Sequence, residues 1–226
     1  MRGRRARQNG EVIRRAVAED AGALHALAAA TFPLACPPGS TEADQRAFID
    51  EHLSVAAFER YLADPDRVIL VDAPDGTGAA DGTGAAFVGY TMLVVGEPAD
   101  ADVLAALAAA DRPTGPGEVA ELSKCYVLPS VHGGGVAGAL VAATTEIALA
   151  RGARMLWLGV NEENARAQRF YEKCGFRAVG TKRFLVGDRL EHDHVMAMPL
   201  AAATPVSSER ARSAHAPSDR SSSGAP

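Results

Sequence analysis

Four glycines fall within ten residues in Val131–Leu140, VHGGGVAGAL, and the chain runs straight on into VAATTEIALA, which has helical spacing. Inside a helix each glycine costs about 0.5–1 kcal/mol relative to alanine. A cluster at a helix start therefore implies a close approach to the backbone. The first N–H groups of a helix are unpaired and carry partial positive charge. With no Cβ in the way they can seat a phosphate or pyrophosphate. The glycines alone leave a second reading open, a flexible turn with tight helix packing.

The same stretch formally matches GxGxxG at Gly133, Gly135 and Gly138, with Glu162 or Glu163 downstream about where a ribose-binding acid belongs. That keeps a nicotinamide-type oxidoreductase as an alternative. Two features count against it. PSVH separates the preceding strand from the first glycine, and only one helix and an antiparallel pair follow the next strand. No GK[ST] follows, so a Walker A loop is excluded. His192 and His194 alternate on a strand and could share one face. A metal site there lacks a third ligand, and none is expected.

These groups need elements to hold them. EVIRRAV alternates like a first strand, and AEDAGALHALAAATF follows with helical spacing. TEADQRAFIDEHLS and SVAAFERYLADP each open on a hydroxyl residue that can cap a helix. RVILVDA and FVGYTMLVV are strands flanking a doubled hexapeptide, DGTGAADGTGAA, that suits a hairpin loop. After a loop with one short helix, VAELSKCYVL leads into the glycines. ARMLWLGV is a buried strand, and NEENARAQRFYEKCGF is a helix stopped by Gly175. RAVGTKRFLVG and RLEHDHVMAMPL close as a hairpin. This order predicts one α/β domain on a mixed sheet, parallel in the middle and antiparallel at its ends. The domain is expected over residues 10–200. Residues 1–9 and the Ala/Ser/Pro-rich residues 201–226 are expected to be disordered ends.

The chain has 226 residues and a formal net charge of −5, which disfavours a broad nucleic-acid surface. Cys36, Cys125 and Cys174 show no CxxC spacing, which argues against a disulfide framework or zinc site and fits a reducing cytosol. The Arg-rich start is followed by EVIRRAV rather than an apolar core, so no secretory signal is expected. Cys125–Thr145 is uncharged but interrupted by Pro129 and the glycines, so no membrane span is expected and the location is predicted cytoplasmic.

VLPSVHGGGVAGALV resembles motif A of the Gcn5-related N-acetyltransferases, Q/R-x-x-G-x-G/A after a strand. His132 stands at the Q/R position, Gly135 at the glycine and Ala137 at G/A. NEENARAQRFYEKCGF is similar to that family's N-x-x-A-x-x-x-Y-x-x-x-G-F block at Asn164, Ala167, Tyr171, Gly175 and Phe176. LWLGVNEENARAQRFYEKCGF, VGTKRFLVGD and HDHVMAMPL are similar to bacterial polyamine N-acetyltransferases.

The resemblance implies a mostly antiparallel central sheet with one splayed parallel pair, helices on both faces, and acetyl-CoA as co-substrate. It implies that backbone N–H groups of Gly133, Gly134, Gly135, Val136, Ala137 and Gly138 hold the pyrophosphate. Cys125, Tyr126 and Val127 would pair with the pantetheine, and a backbone N–H at a bulge on their strand would polarise the thioester. Tyr171 would serve the departing thiolate, and Asn164 would bond the pantetheine or cap its helix. Glu121 is the candidate base, acting through water. The acceptor would be a small-molecule amine, in a pocket whose acids are drawn from Glu42, Asp44, Asp50, Glu51 and Asp193. A homodimer is a common state in the family. A non-catalytic acyl-CoA sensor is the other alternative.

Overall fold

The central strand of the sheet leaves one of its neighbours a third of the way along. That strand is β4 (Val119–Val127), and the neighbour is β5 (Met155–Asn161). Their parallel ladder runs Val119↔Met155, Ala120↔Leu156 and Glu121↔Trp157 and stops there. On its other side β4 pairs antiparallel with β3 (Gly89–Val95), and the register slips: Leu93 lies opposite Leu122 but Met92 lies opposite Lys124. Ser123 is thus an extra residue. Such a bulge bends its strand and increases local twist, which turns the end of β4 away from β5.

The remaining strands are β1 (Glu11–Arg15), β2 (Arg67–Pro74), β6 (Arg177–Val186) and β7 (Arg189–Pro199), and the sheet order is β1-β2-β3-β4-β5-β7-β6. Every pairing except β4–β5 is antiparallel. The sheet is therefore not the doubly wound parallel sheet that a dinucleotide-binding oxidoreductase requires. The computed structural model describes residues 11–37, 39–74, 87–110, 113, 117–186 and 189–200. The expected disordered ends, the doubled hexapeptide and the turn at 187–188 lie outside the described residues.

Helices cover both faces. On one, α5 (Val136–Ala150) packs on β2, β3 and β4, with the buried Thr91 and Thr144 hydroxyls 2.7 Å apart. On the other lie α1 (Ala21–Thr31), α2 (Glu42–His52) and α3 (Val55–Ala63). Phe58 of α3 meets Tyr90 of β3 edge-on at 5.7 Å. A short helix, α4 (Ala101–Ala109), covers a second core that includes Val119, Met155, Trp157 and Val195. The last helix is α6 (Ala165–Lys173).

Caps fix the helix starts where the polar residues predict. The Thr41 hydroxyl accepts from the Asp44 N–H at 3.1 Å, and the Ser54 hydroxyl from the Ala57 N–H at 3.3 Å. The first helix departs from expectation. Its opening AED is a separate 3-10 turn, because the Asp20 carboxylate accepts from the Val17 N–H at 2.8 Å and from Arg14 at 2.6 and 2.9 Å. That pairing holds the Asp20 carboxyl below the usual carboxylate range, the Arg14 hydrogen bond first and the Val17 N–H adding to it.

Candidate active site

The glycine segment does not continue β4 directly into a helix. A 3-10 turn (Pro129–Val131) comes first, and Gly133 and Gly135 then take left-handed φ values of +82° and +88°. L residues with a Cβ rarely adopt that region. The Gly134 N–H donates back to the Val131 carbonyl at 3.1 Å, and the first N–H inside the helix to find an acceptor is that of Ala139, on Gly135 O at 3.0 Å. The N–H groups of Val136, Ala137 and Gly138 come before that bond and carry the positive end of the α5 dipole. They face a cavity of about 350 Å³ lined by the loop, Val127, Arg166 and Phe170. Of the N–H groups of residues 133–138, that of Gly134 is the one bonded back within the loop. His132, at the family's Q/R position, places Nε2 3.1 Å from the Val127 carbonyl and ties the loop to the end of β4.

A second cavity of about 430 Å³ lies under α2 and the turn Phe32–Ala35. Ala35, Tyr126, Asn164 and Ala167 line both cavities. The two therefore meet where β4 and β5 part, and β4 residues beyond Glu121 have no β5 partner there. Exposed β4 backbone at that junction can pair with an extended amide chain as an added strand does.

Several predicted residues converge on the junction. Asn164 is the cap of α6, its Oδ1 accepting from the Ala167 N–H at 3.0 Å. Two helical turns on, half-buried Tyr171 lines the second cavity, and its hydroxyl contacts the Cys125 thiol. Burial pushes the Tyr171 phenol well above its ordinary range, and burial pushes the Cys125 thiol up to about 12, so both are neutral at pH 7. Phe170 turns instead into the first cavity. Tyr126 stacks on Tyr90 at 5.6 Å, and Phe32 on Phe48 at 4.4 Å, giving the second cavity an aromatic wall.

The floor of the second cavity is charged. Burial raises the Glu121 carboxyl above its usual range, against the opposing pull of Lys182 and Lys124. Burial lowers the Lys124 ammonium to about 8, partly offset by Glu121; it lies 5.7 Å from the Tyr61 ring centre. Burial also raises Asp193 to about 6, with Lys182 opposing it at 3.9 Å. Of the acids suggested by the sequence, Asp44 and Asp193 line this cavity, while Glu42, Asp50 and Glu51 are exposed on α2 and do not. Glu191 joins them, two residues from Asp193 on the same side of β7. His192 and His194 alternate with these acids, and among the described residues no metal-binding group of His, Cys, Asp and Glu forms. Sequence reasoning missed Lys124, Lys182 and Glu191, because an isolated charge on a strand carries no local mark of the cavity it will face.

The comparisons with known proteins agree with this geometry. Residues 26–176 match the model of the acetyltransferase (GNAT) family. The chain is 43% identical over 181 residues to an uncharacterized N-acetyltransferase of Mycobacterium tuberculosis, covering 80% of this chain and 98% of that protein. Among solved structures it is similar to the PaiA N-acetyltransferase of Thermoplasma acidophilum in complex with coenzyme A, with a TM-score of 0.62 at 18% identity over 84% of this chain and 99% of that one. A GCN5-related N-acetyltransferase of Rhodopseudomonas palustris has a TM-score of 0.60 at 19% identity, over 86% and 99% of the two chains. At these identities the solved structures speak for the fold alone. The chain belongs to the GNAT family of acetyltransferases and is an N-acetyltransferase that uses acetyl-CoA.

Proposed function

We propose that this acetyltransferase moves the acetyl group from acetyl-CoA to a primary amine by direct attack, with both substrates bound at once. The observation that carries the reading is the meeting of two cavities at the β4–β5 opening. Coenzyme and acceptor can then reach one carbon, each from its own cavity.

The assigned roles follow from the site chemistry. The N–H groups of Val136, Ala137 and Gly138, with the Gly133–Gly135 loop, hold the pyrophosphate. The backbone of Cys125–Val127 pairs with the pantetheine. A β4 N–H beside the Ser123 bulge donates to the thioester oxygen as negative charge develops, and such a donor is typically worth about 2.7–4 kcal/mol. Glu121, its carboxyl raised by burial, takes the ammonium proton through water and frees the lone pair. The amine nitrogen bonds to the carbonyl carbon, the C–S bond breaks, and the electron pair leaves on sulfur. Tyr171, a neutral phenol, donates a hydrogen bond to that thiolate. Full proton transfer from the phenol is uphill, since a thiol has a pKa of about 8.5. Tyr171 therefore stabilises the thiolate without having to protonate it.

The acceptor we assign is a small cationic amine, polyamines included. Asp44, Glu121, Glu191 and Asp193 outnumber Lys124 and Lys182 in the lining of the second cavity. Among the described residues no helix is long and apolar enough to cross a membrane, and we place the enzyme in the cytoplasm, with a homodimer as its expected assembly.

The test is thermal shift with acetyl-CoA, followed by an amine panel read by free thiol. At 100 times Kd the coenzyme adds about 2.7 kcal/mol, or on the order of 5–10 °C. Tyr171→Phe should keep that shift and lose thiol release. A shift with no thiol release for any amine would instead make the protein an acyl-CoA sensor, and no shift would overturn the reading.

A further inference from the structure

We infer that Asp193 is a second anchoring point for the acceptor, held in the free enzyme by the protein's own Lys182, and that the acceptor is a short diamine whose far ammonium displaces Lys182 there. This rests on the acetyl-transfer reading and names a narrower substrate class for the same site.

Three strands build the device. Lys182 of β6 and Asp193 of β7 are directly paired in register. Both side chains lie over Gly159 of β5, where a Cβ would stand 2.8 Å from Lys182 Cε and 3.0 Å from Asp193 Oδ2. The missing side chain of Gly159 leaves room for the pair to lie close over the sheet and line the cavity floor.

The contact is a poor one for two buried charges. Nζ and Oδ2 are 3.9 Å apart, with the side chains 22% and 13% exposed. A charge-assisted N–H···O bond is normally about 2.7–2.9 Å long. Among the described residues Asp193 accepts no hydrogen bond, whereas buried carboxylates are normally satisfied. The raised carboxyl of Asp193 agrees with this shortage of donors. Glu191 and Glu162 add negative charge nearby, against Lys182 and His194. The surplus favours a cation over a neutral donor. Lys182 is thus a loose occupant of a place that a ligand ammonium with its three donors can take.

The spacing sets the length of the acceptor. The β4–β5 opening begins just past the Glu121↔Trp157 pair, and Gly159 is two residues further along β5. Two strand residues span about 7 Å. A nitrogen at the opening and another over Gly159 are then about 5–7 Å apart, the span of a three- or four-carbon diamine.

The experiment compares 1,4-diaminobutane with butylamine on the full chain, by KM and by calorimetric binding to the CoA-loaded protein. The wild type should prefer the diamine by about tenfold or more. Asp193→Asn should shrink that ratio to within about twofold, and Lys182→Met should widen it. Equal affinity for the two amines in the wild type overturns the inference, as does a ratio that neither variant moves. Acetyl-CoA binding is measured on the same samples. Its absence would sink the acetyl-transfer reading instead, while normal coenzyme binding without diamine preference would sink only this inference. If Asp193→Asn does not fold, the wild-type ratio and Lys182→Met decide it.

Discussion

The two cavities are made of different material. The side we assign to the coenzyme is largely backbone: left-handed glycines, the start of α5 and the edge of β4 that β5 leaves unpaired, drawn from one continuous stretch around residues 125–138. The side we assign to the acceptor is made of side chains from α2, β4, β5, β6 and β7, and burial shifts Glu121, Lys124 and Asp193 there. A backbone site recognises a group shared by every acyl-CoA and tolerates side-chain change. A side-chain site recognises one acceptor and can be rewritten strand by strand. On the proposed assignment, the family's common chemistry belongs to the first region and this protein's specificity to the second.

Substitutions on the two sides should therefore fail in different ways. The largest effect is expected at the junction. Glu121→Gln should lower kcat by about a hundredfold or more, the usual scale for a lost base. The Glu121 carboxyl is raised, so the wild-type rate should climb with pH as it ionises. That limb should vanish in the variant, and a retained limb would move the base elsewhere. Next, Gly135→Val forces a β-branched residue to a φ of +88° and puts methyl groups beside the cradle. Acetyl-CoA affinity by calorimetry should drop about a hundredfold. Amine preference among the remaining turnovers should stay as it was.

Smaller effects are expected on the acceptor side. Gly159→Ala pushes on the flexible end of Lys182 rather than on backbone. The acceptor KM should rise about fivefold, with coenzyme affinity held within about twofold. A fall in both would show that the two regions are not independent. The smallest effect is a stability one. Asp193 has a folded pKa of about 6, above its unfolded value of 3.8. Its contribution is present below about pH 4 and is lost as pH rises through 6. Relative to wild type, Asp193→Asn should therefore gain stability as pH rises from about 4 to about 6, and hold that gain above pH 6. The limit is about 3 kcal/mol, or on the order of 5–10 °C. A difference in Tm that stays flat with pH would mean that the carboxyl is not desolvated.

The legibility of the chain divides along the same line. Thr41, Ser54 and Asn164 marked helix starts because caps act on the next turn. Gly133 and Gly135 marked the break before α5 because a left-handed φ and a bare helix start are local properties. Asp20 misled, since its bond to Arg14 split one expected helix into a 3-10 turn and a helix. Gly134 looked like one more donor until the turn before it claimed its N–H.

Periodicity, caps and glycines determined which elements form, and with them the bare start of α5, because those forces act over a few residues. The tertiary structure alone decided that Glu121, Lys182 and Asp193 share one floor, and that Gly159 leaves room beneath two of them. Strand order, the end of the β4–β5 ladder and the Ser123 bulge bring them together. A charge shifts its pKa according to what surrounds it in space, and sequence distance says nothing about that.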